Sequence, residues 1–397
     1  MLLFLGGHLR RSSGITLTCW VLLSSGLLTL LQPRPVAAQS SGGGTDPNAL
    51  VLGQSLPLSG PSAQLGLDYR RGALAWFEAV NREGGIHGRK IQLISLDDKY
   101  EPPQTLINTR QLLNRNDLLA LFGYVGTPTT KVALPLIEEA SVPLVAPMTG
   151  ASLFRQPDLR MVFNMRTSYR REIAAMVDEL VRDAHHRIAI VYQDDAFGQD
   201  GLDGALAALS RHGLNPVVVT TVQRNSAQVG EALDDLMATN PNGIVLVSAY
   251  VSSAALSSAL RNRGSRAQIM NVSFVGTQAL QKAMPVGEAN GIGVAQVVPF
   301  PWNRWIPVVA DYQRCLRLSD KSSGFGFTSF EGYLAARMIT EALERAGKNP
   351  SRQALVQALE SIRDLDLGGF RLQMGRDDHD ASDFVELTFL GSQSWEP

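Results

Sequence analysis

Cysteine is almost absent from this chain: there are two in 397 residues, Cys19 and Cys315. Two cysteines make no disulfide framework, and neither sits in a zinc spacing. Charge of either sign is scarce and balanced, with 36 Lys and Arg against 37 Asp and Glu and a formal net charge of −1. The basic residues are scattered, so the footprint of a nucleic-acid binder is missing. Only six histidines are present, none in a His-Glu-x-x-His pattern. There is no nucleophile elbow and no Walker loop. "GFGFTS" (324–329) lacks the third glycine of a dinucleotide fingerprint and follows no strand. The search for catalytic sets therefore returns nothing, and no cofactor is expected.

Long hydrophobic runs are also missing, apart from Ile15–Leu31. Arg10 and Arg11 precede that run, and "QPRPVAAQ" follows it with Val36 and Ala38 at the small-residue positions of a cleavage site. This order predicts a secretory signal over 1–38, cut after Ala38, with a retained anchor as the alternative. Cys19 sits inside the run rather than at its end, where a lipid-bearing cysteine would stand. Cleavage removes Arg10, Arg11, Arg34 and Cys19, leaving Cys315 without an intramolecular partner. "SSGGGTDPN" (40–48) reads as part of a flexible tether spanning 39–48.

What remains, 45% apolar overall, has globular composition and a length suited to two domains. Short apolar runs alternate with amphipathic ones. "ALVLGQSL" (49–56), "KIQLISLDD" (90–98), "LLALFGYV" (118–125) and "VPLVAPM" (142–148) read as strands. Between them, Ala73, Trp76, Phe77 and Val80 fall at helical spacing before Gly84-Gly85, and "PPQTLINTRQLLNR" and "TKVALPLIEEA" read as helices. The rhythm restarts with "RIAIVYQDD" (187–195), "PVVVTTVQ", "GIVLVSAY" (243–250) and "AQIMNVSFVG", again separated by helical segments. Such alternation predicts an α/β chain of two doubly wound parallel sheets, each covered on both faces.

Ligands of open parallel sheets bind beyond the carboxyl ends of the strands. Those ends carry Ser55–Ser62, Asp97-Asp98, "GYVGTPTT" (123–130), "APMTGA" (146–151), "YQDDAFG" (192–198), "SAYVSS" (248–253) and "NVSFVG" (271–276). Hydroxyls and free amides there suit a carboxylate, and aromatic rings suit an apolar body. Singly, each Ser or Thr reads as an ordinary helix cap. Asp97-Asp98 and Asp194-Asp195 resemble catalytic pairs, but neighbours on a strand point to opposite faces, so capping or hinge contacts explain them better. His185-His186 precedes a strand and reads as surface.

"LPLSGPSAQLG…RRGALAWFEAVNREGGIHGRKIQLISLDD", "PLVAPMTGA", "IAIVYQDDAFGQDGL" and "SFEGYLAARMITEAL" together resemble the periplasmic solute-binding proteins of branched-chain amino acid ABC transporters. The resemblance runs from about residue 50 to the end. It implies the type I periplasmic-binding fold: two α/β lobes joined by three hinge crossings. Lobe one would take 49–165 and 301–375, and lobe two 166–300 and 376–397. Crossings would lie near Met165–Thr167, Pro299–Pro301 and Met374–Asp377. Closure of the hinge on a ligand is the implied motion.

The resemblance also implies binding roles. Ser59 becomes part of the cleft lip. Thr127 and Thr149 offer hydroxyls to a ligand carboxylate, with Met148 contributing its backbone. The family's hydroxyl two positions after Met148 falls on Gly150. Phe197 supplies an aromatic wall, Tyr250 a tyrosine, Phe330 an aromatic of the returning segment, and Leu65 a gatekeeper. Relatives place a carboxylate where this chain has Ser273, to meet the ligand's ammonium. Either Asp195 or Glu331 takes over, or the ligand is an acid or amide without an α-amino group; the sequence leans toward the second. The implied function is a periplasmic, monomeric receptor that passes a small molecule to a membrane permease. A ligand-sensing module of the same fold is the alternative.

Overall fold

The computed structural model describes residues 48–321 and 324–391. The expected signal segment, the expected tether up to residue 47 and the last six residues lie outside them. The first sheet is built from β1 (Leu50–Leu56), β2 (Ile91–Asp97), β3 (Leu118–Phe122), β4 (Leu144–Val145) and β5 (Val162–Phe163). Helices α1 (Ala63–Arg82), α2 (Pro102–Leu113) and α3 (Thr127–Ala140) connect its first four strands. The chain then leaves this sheet and enters α4 (Tyr169–Arg182).

The second sheet contains β6 (Ile188–Gln193), β7 (Val219–Val222), β8 (Gly243–Val247), β9 (Gln268–Asn271) and β10 (Gly293–Gln296). Its connecting helices are α5 (Ala196–Arg211), α6 (Gly230–Thr239), α7 (Tyr250–Asn262) and α8 (Thr277–Ala283). Next, α9 (Pro307–Ser319), α10 (Phe327–Ala346) and α11 (Arg352–Glu360) return to the first lobe, followed by the small pair β11 (Leu365–Asp366) and β12 (Arg371–Leu372). Finally β13 (Glu386–Phe389) pairs antiparallel with β10 at the edge of the second sheet. The chain thus passes between the sheets three times: between β5 and α4, between β10 and α9, and between β12 and β13.

The strand orders are β2-β1-β3-β4-β5 and β13-β10-β9-β8-β6-β7. Both sheets are parallel apart from β13. In each, the strand order reverses beside the lobe's first strand, between β1 and β3 and between β6 and β8. A crevice opens at such a point, beyond the strand ends. The two switch points therefore select the loops after β1, β3, β6 and β8.

The seven residues of β1 are all buried, as a strand with helices on both faces requires. Helix α10 packs along α1 of the first lobe. A Cβ on Gly72 of α1 would overlap the Ser329 carbonyl, and one on Gly332 of α10 would overlap the Tyr69 carbonyl. Glycine at both positions lets the two backbones touch, and this seats Ser329, Phe330 and Glu331 against the first lobe.

Several expected strands are shorter than their sequence suggests, two of them markedly. "VPLVAPM" is continuous strand only at Leu144–Val145, with Met148 adding an isolated bridge to Val125, because Ala146 turns into the left-handed region at φ 52 and its carbonyl accepts the Tyr69 hydroxyl at 2.7 Å. "AQIMNVSFVG" stops at Asn271, since the Ser273 N–H goes to the Glu172 carboxylate, not to a ladder. Conversely, α3 begins earlier than "TKVALPLIEEA" suggests, because Pro128 suits the first turn. No helix among the described residues is long and apolar enough to cross a membrane.

Candidate functional site

The loops selected by the two switch points meet at a seam between the lobes. After β3, Gly126 (φ 96) leads into Thr127, whose hydroxyl lies 2.7 Å from that of Thr149 in the loop after β4. Thr149 Oγ1 also accepts the Ala151 N–H. Met148 is buried beside them, but its N–H donates to Tyr124 O and its carbonyl accepts from Gly126. Its backbone therefore extends the sheet instead of facing the seam. Gly150 cannot carry the hydroxyl of the resemblance, since a Cβ there would lie 2.6 Å from the Tyr169 nitrogen. Tyr169 fills that space.

Ser59 stands on the rim. Its N–H and hydroxyl both donate to Asp97, at 3.2 and 2.5 Å. Burial pushes the Asp97 carboxyl up, but these bonds and the N–H groups of Leu58 and Lys99 outweigh it and hold Asp97 low. Asp98 does the same work on the buried side, accepting from Ser55, Thr105 and the Tyr100 N–H. Burial raises Asp98 to about 6 despite those bonds. The two acids hold Lys99 and Tyr100 at φ 55 and 61, a costly conformation for a tyrosine. The strained turn delivers the Tyr100 ring into the seam.

An aromatic chain crosses between the lobes. Tyr100 lies 5.8 Å from Phe274, Phe274 lies 4.9 Å from Phe197, and Phe197 lies 5.0 Å from Tyr169. Phe197 is placed by the cap of α5, where Asp195 accepts the N–H groups of Phe197 and Gly198. Asp195 also takes the Gln193 amide at 2.6 Å, so its carboxylate is committed to shaping this turn. Phe330 packs 4.8 Å from Tyr312, behind the seam and one residue before Glu331.

At the centre lies Arg166, in the first crossing and fully buried. Its Nε is 3.5 Å from Glu331 of α10, and its Nη2 is 3.6 Å from Glu172 of α4. The same guanidinium touches the Ser273 hydroxyl and stands 5.6 Å from the Tyr169 ring centre. Glu172 Oε2 accepts the Ser273 N–H at 2.7 Å. Thus position 273 has no acid of its own, but a carboxylate from α4 is bonded to its backbone. Among the described residues, Arg166 Nε and Nη1, Glu172 Oε1 and the Tyr169 hydroxyl are buried without a hydrogen-bond partner.

Burial pushes Glu331 up to about 6; Arg166 pulls it down and Glu172 pushes it further up. Glu172 is also raised, by burial first, against the pull of Arg166 and the Ser273 N–H. Arg166 stays charged, because the two carboxylates outweigh the cost of its burial.

The rim is tied across the seam. Tyr250, at the start of α7, donates its hydroxyl hydrogen to the Pro61 carbonyl. Ser62 bonds Asn225 at 2.6 Å, and Asn225 and Arg224 both reach Glu101. Leu65 of α1 packs where a Cβ on Gly276 would stand. Behind Arg166, the crossings are joined to each other: Asn164 exchanges backbone bonds with His379 and Ala381, and Arg155 binds the Arg166 and Thr167 carbonyls and pairs with Asp380 at 2.7 Å. Arg166, Tyr169, Phe197 and Phe274 expose no surface, so a solute reaches them only when the lobes part. An open groove of about 820 Å³ along residues 363–383 lies elsewhere, lined by exposed pairs such as Arg371–Asp364.

Of the residues expected to bind ligand, Thr127, Thr149, Phe197, Tyr250, Ser273 and Leu65 lie at the seam or its edge and Ser59 on the lip, whereas Phe330 packs behind the seam and the Met148 backbone is spent on the sheet. Sequence reasoning missed Arg166, Glu172, Tyr169, Tyr100 and Phe274. The only sequence signal for these was position: Tyr100 and Phe274 follow strand ends.

The model for the family described as periplasmic binding protein matches residues 50–388. A possible leucine/isoleucine/valine-binding protein from Rhodopirellula baltica has 35% identity and a TM-score of 0.84, over 88% of this chain and 97% of that one. Leu/Ile/Val-binding protein homolog 7 of Brucella abortus is 25% identical over 87% of this chain and 91% of its own length. An amino acid binding protein of Pseudomonas aeruginosa is 25% identical over 58% of this chain, and the match spans 62% of that protein's length. With its two parallel-sheet lobes, its three crossings and a family match spanning nearly all described residues, this chain belongs to the periplasmic binding protein family.

Proposed function

We propose that this chain is the extracytoplasmic receptor of an ABC importer, which captures a small amino acid, or a related carboxylate or amide, and delivers it to a membrane permease. The observation that carries the reading is the group of buried polar atoms around Arg166 that make ion pairs but no hydrogen bond, at a seam that must open to admit anything. Buried polar groups are ordinarily paired, and a site built for a polar ligand is where they are left for the ligand to satisfy.

In this reading lobe one comprises 49–165 and 301–375, and lobe two 166–300 and 376–397. Ligand meets lobe one first, at Thr127, Thr149 and Leu65. Met148 and Phe330 support that surface from behind, and Ser59 shapes the lip. Closure then brings Phe197, Tyr250 and Ser273 over the ligand and excludes water. Ligand contacts present only in the closed form bias the hinge. Export by the 1–38 segment places the protein in the periplasm, where it acts as a monomer without catalysing a reaction.

The test is a thermal-shift panel of branched-chain and aromatic amino acids, their deaminated acids and small amides, after native mass spectrometry of protein purified from its host. A ligand of the native state raises the melting temperature by mass action. A specific shift with one class supports the reading. No shift with any class, and no co-purified small molecule, contradicts it.

A further inference from the structure

Two strained turns, one from each lobe, meet at the rim. On lobe two, Asn225 stands at φ 57 in the loop after β7. The Ser252 hydroxyl of α7 steadies that loop on both sides, 3.2 Å from the Gln223 carbonyl and 3.0 Å from that of Ser226. On lobe one, Asp97 and Asp98 fix Lys99 and Tyr100 at positive φ by accepting their N–H groups at 3.0 and 2.9 Å. The next residue, Glu101, donates its N–H to the Asp98 carbonyl at 2.8 Å. Left-handed backbone outside glycine is costly and persists where the surroundings over-determine it, as at clamps and switches.

The Asn225 amide is spent across the seam. Its Oδ1 accepts the Ser62 hydroxyl at 2.6 Å, and its Nδ2 donates to the Glu101 carboxylate at 2.8 Å and to the Lys99 carbonyl at 3.2 Å. Arg224 Nη2 donates to the other Glu101 oxygen at 2.9 Å. Its Nη1 lies 3.4 Å from Asp195 of its own lobe, the residue that caps α5 beside Phe197. None of these bonds goes to Arg166, Thr127, Thr149 or Ser273. Their strength is therefore the same whichever solute is held, and those between the lobes are lost when the lobes part. A contact made only in the closed form biases the hinge by its own free energy, and apparent affinity follows the closed fraction. We propose that Asn225 and Arg224 form a latch that draws the lobes shut independently of the solute and sets the affinity for every solute by one common factor.

The effect on affinity rests on the reading of the seam as a solute site; the effect on the lobes does not. Both residues act by position, without touching the solute. They share the rim with the Tyr250–Pro61 bond. Through Asp195 the latch is also joined to the aromatic wall, so its closure and the placing of Phe197 are one event.

The experiment has two readouts. Spin labels on Ile107→Cys of α2 and Asp234→Cys of α6, both exposed, report the distance between the lobes, while Cys315 is buried and stays unlabelled. The ligand-free parent should show a closed and an open distance. Asn225→Gly keeps the left-handed backbone without the amide and should lose most of the closed fraction. Asn225→Asp sets a second carboxylate against Glu101 and should do the same. The second readout is calorimetry and stopped-flow release for every binder in the thermal-shift panel. Asn225→Gly should weaken each of them by about ten- to a hundredfold, mainly through faster release, and leave their order unchanged. A ligand-free parent that is wholly open, or a closed fraction that neither variant alters, overturns the proposal. So does a changed order of binders, which would make Asn225 a ligand contact. If no compound binds, the solute reading fails, and the distances alone decide the latch.

Discussion

The hydroxyl of Tyr250, at the N-terminus of α7, donates its hydrogen to the carbonyl of Pro61 in the loop after β1. These residues belong to different lobes, so the bond exists only while the seam is shut. Tyr250→Phe removes the donor and keeps the ring. One hydrogen bond contributes about 1 kcal/mol, so ligand affinity should fall roughly fivefold, chiefly through faster release. Stopped-flow dissociation and calorimetry check this. An unchanged release rate would remove Tyr250 from the latch.

Arg166 sits between two buried acids, and removing it leaves both without a counter-charge. Arg166→Leu should destabilise the folded chain by about 3–5 kcal/mol. Replacing Glu172 and Glu331 by Gln in the same chain should recover most of the loss, because no buried charge then remains. Urea melts of the single and triple variants measure both effects.

Glu331 is raised from 4.5 to about 6 by burial. The folded form therefore binds its proton more tightly than the unfolded chain does. The stability this provides is complete below the unfolded value and is lost as pH rises through the folded one. Glu331→Gln, which mimics the protonated acid, should consequently look about 1 kcal/mol more favourable at pH 8 than at pH 5, relative to the parent chain. Denaturant midpoints of both chains at the two pH values decide it. An equal difference at both would show that Glu331 does not titrate in the folded protein.

Gly332 touches the Tyr69 backbone where α10 crosses α1. Gly332→Ala adds a methyl that nothing can accommodate without moving a helix, at a cost of about 1–3 kcal/mol or more. Helix propensity alone favours Ala by about 1 kcal/mol, so the sign of the measured change separates packing from propensity.

Much of this architecture is legible in the chain itself. Apolar strands ending in hydroxyl-rich loops, as at "GYVGTPTT", mark the switch points, and those loops do meet at the seam. Met148 illustrates the limit: its place in the loop is legible, but the use of its N–H by Tyr124 depends on how the sheet extends past β4. Gly150 stands where the resemblance implies a hydroxyl, and only packing reveals why a side chain does not fit there: the Tyr169 backbone lies beside it. Arg166 carries no periodic signal, and an arginine in a connection reads as surface. Its burial comes from residues 172, 273 and 331 converging from three segments, which spacing along the chain does not disclose. Ser273 alone suggested a ligand without an amino group; Glu172 beside it shifts that balance.

The central claim is that ligand is held at the seam between the lobes. Hydrogen exchange with mass spectrometry, with and without the panel compound that stabilises the chain most, tests it directly. The account predicts protection gathered in 57–65, 123–130, 146–151, 164–173, 194–198, 248–252 and 271–276, on both lobes at once. Protection confined to the outer groove along 363–383, or to one lobe alone, would contradict it.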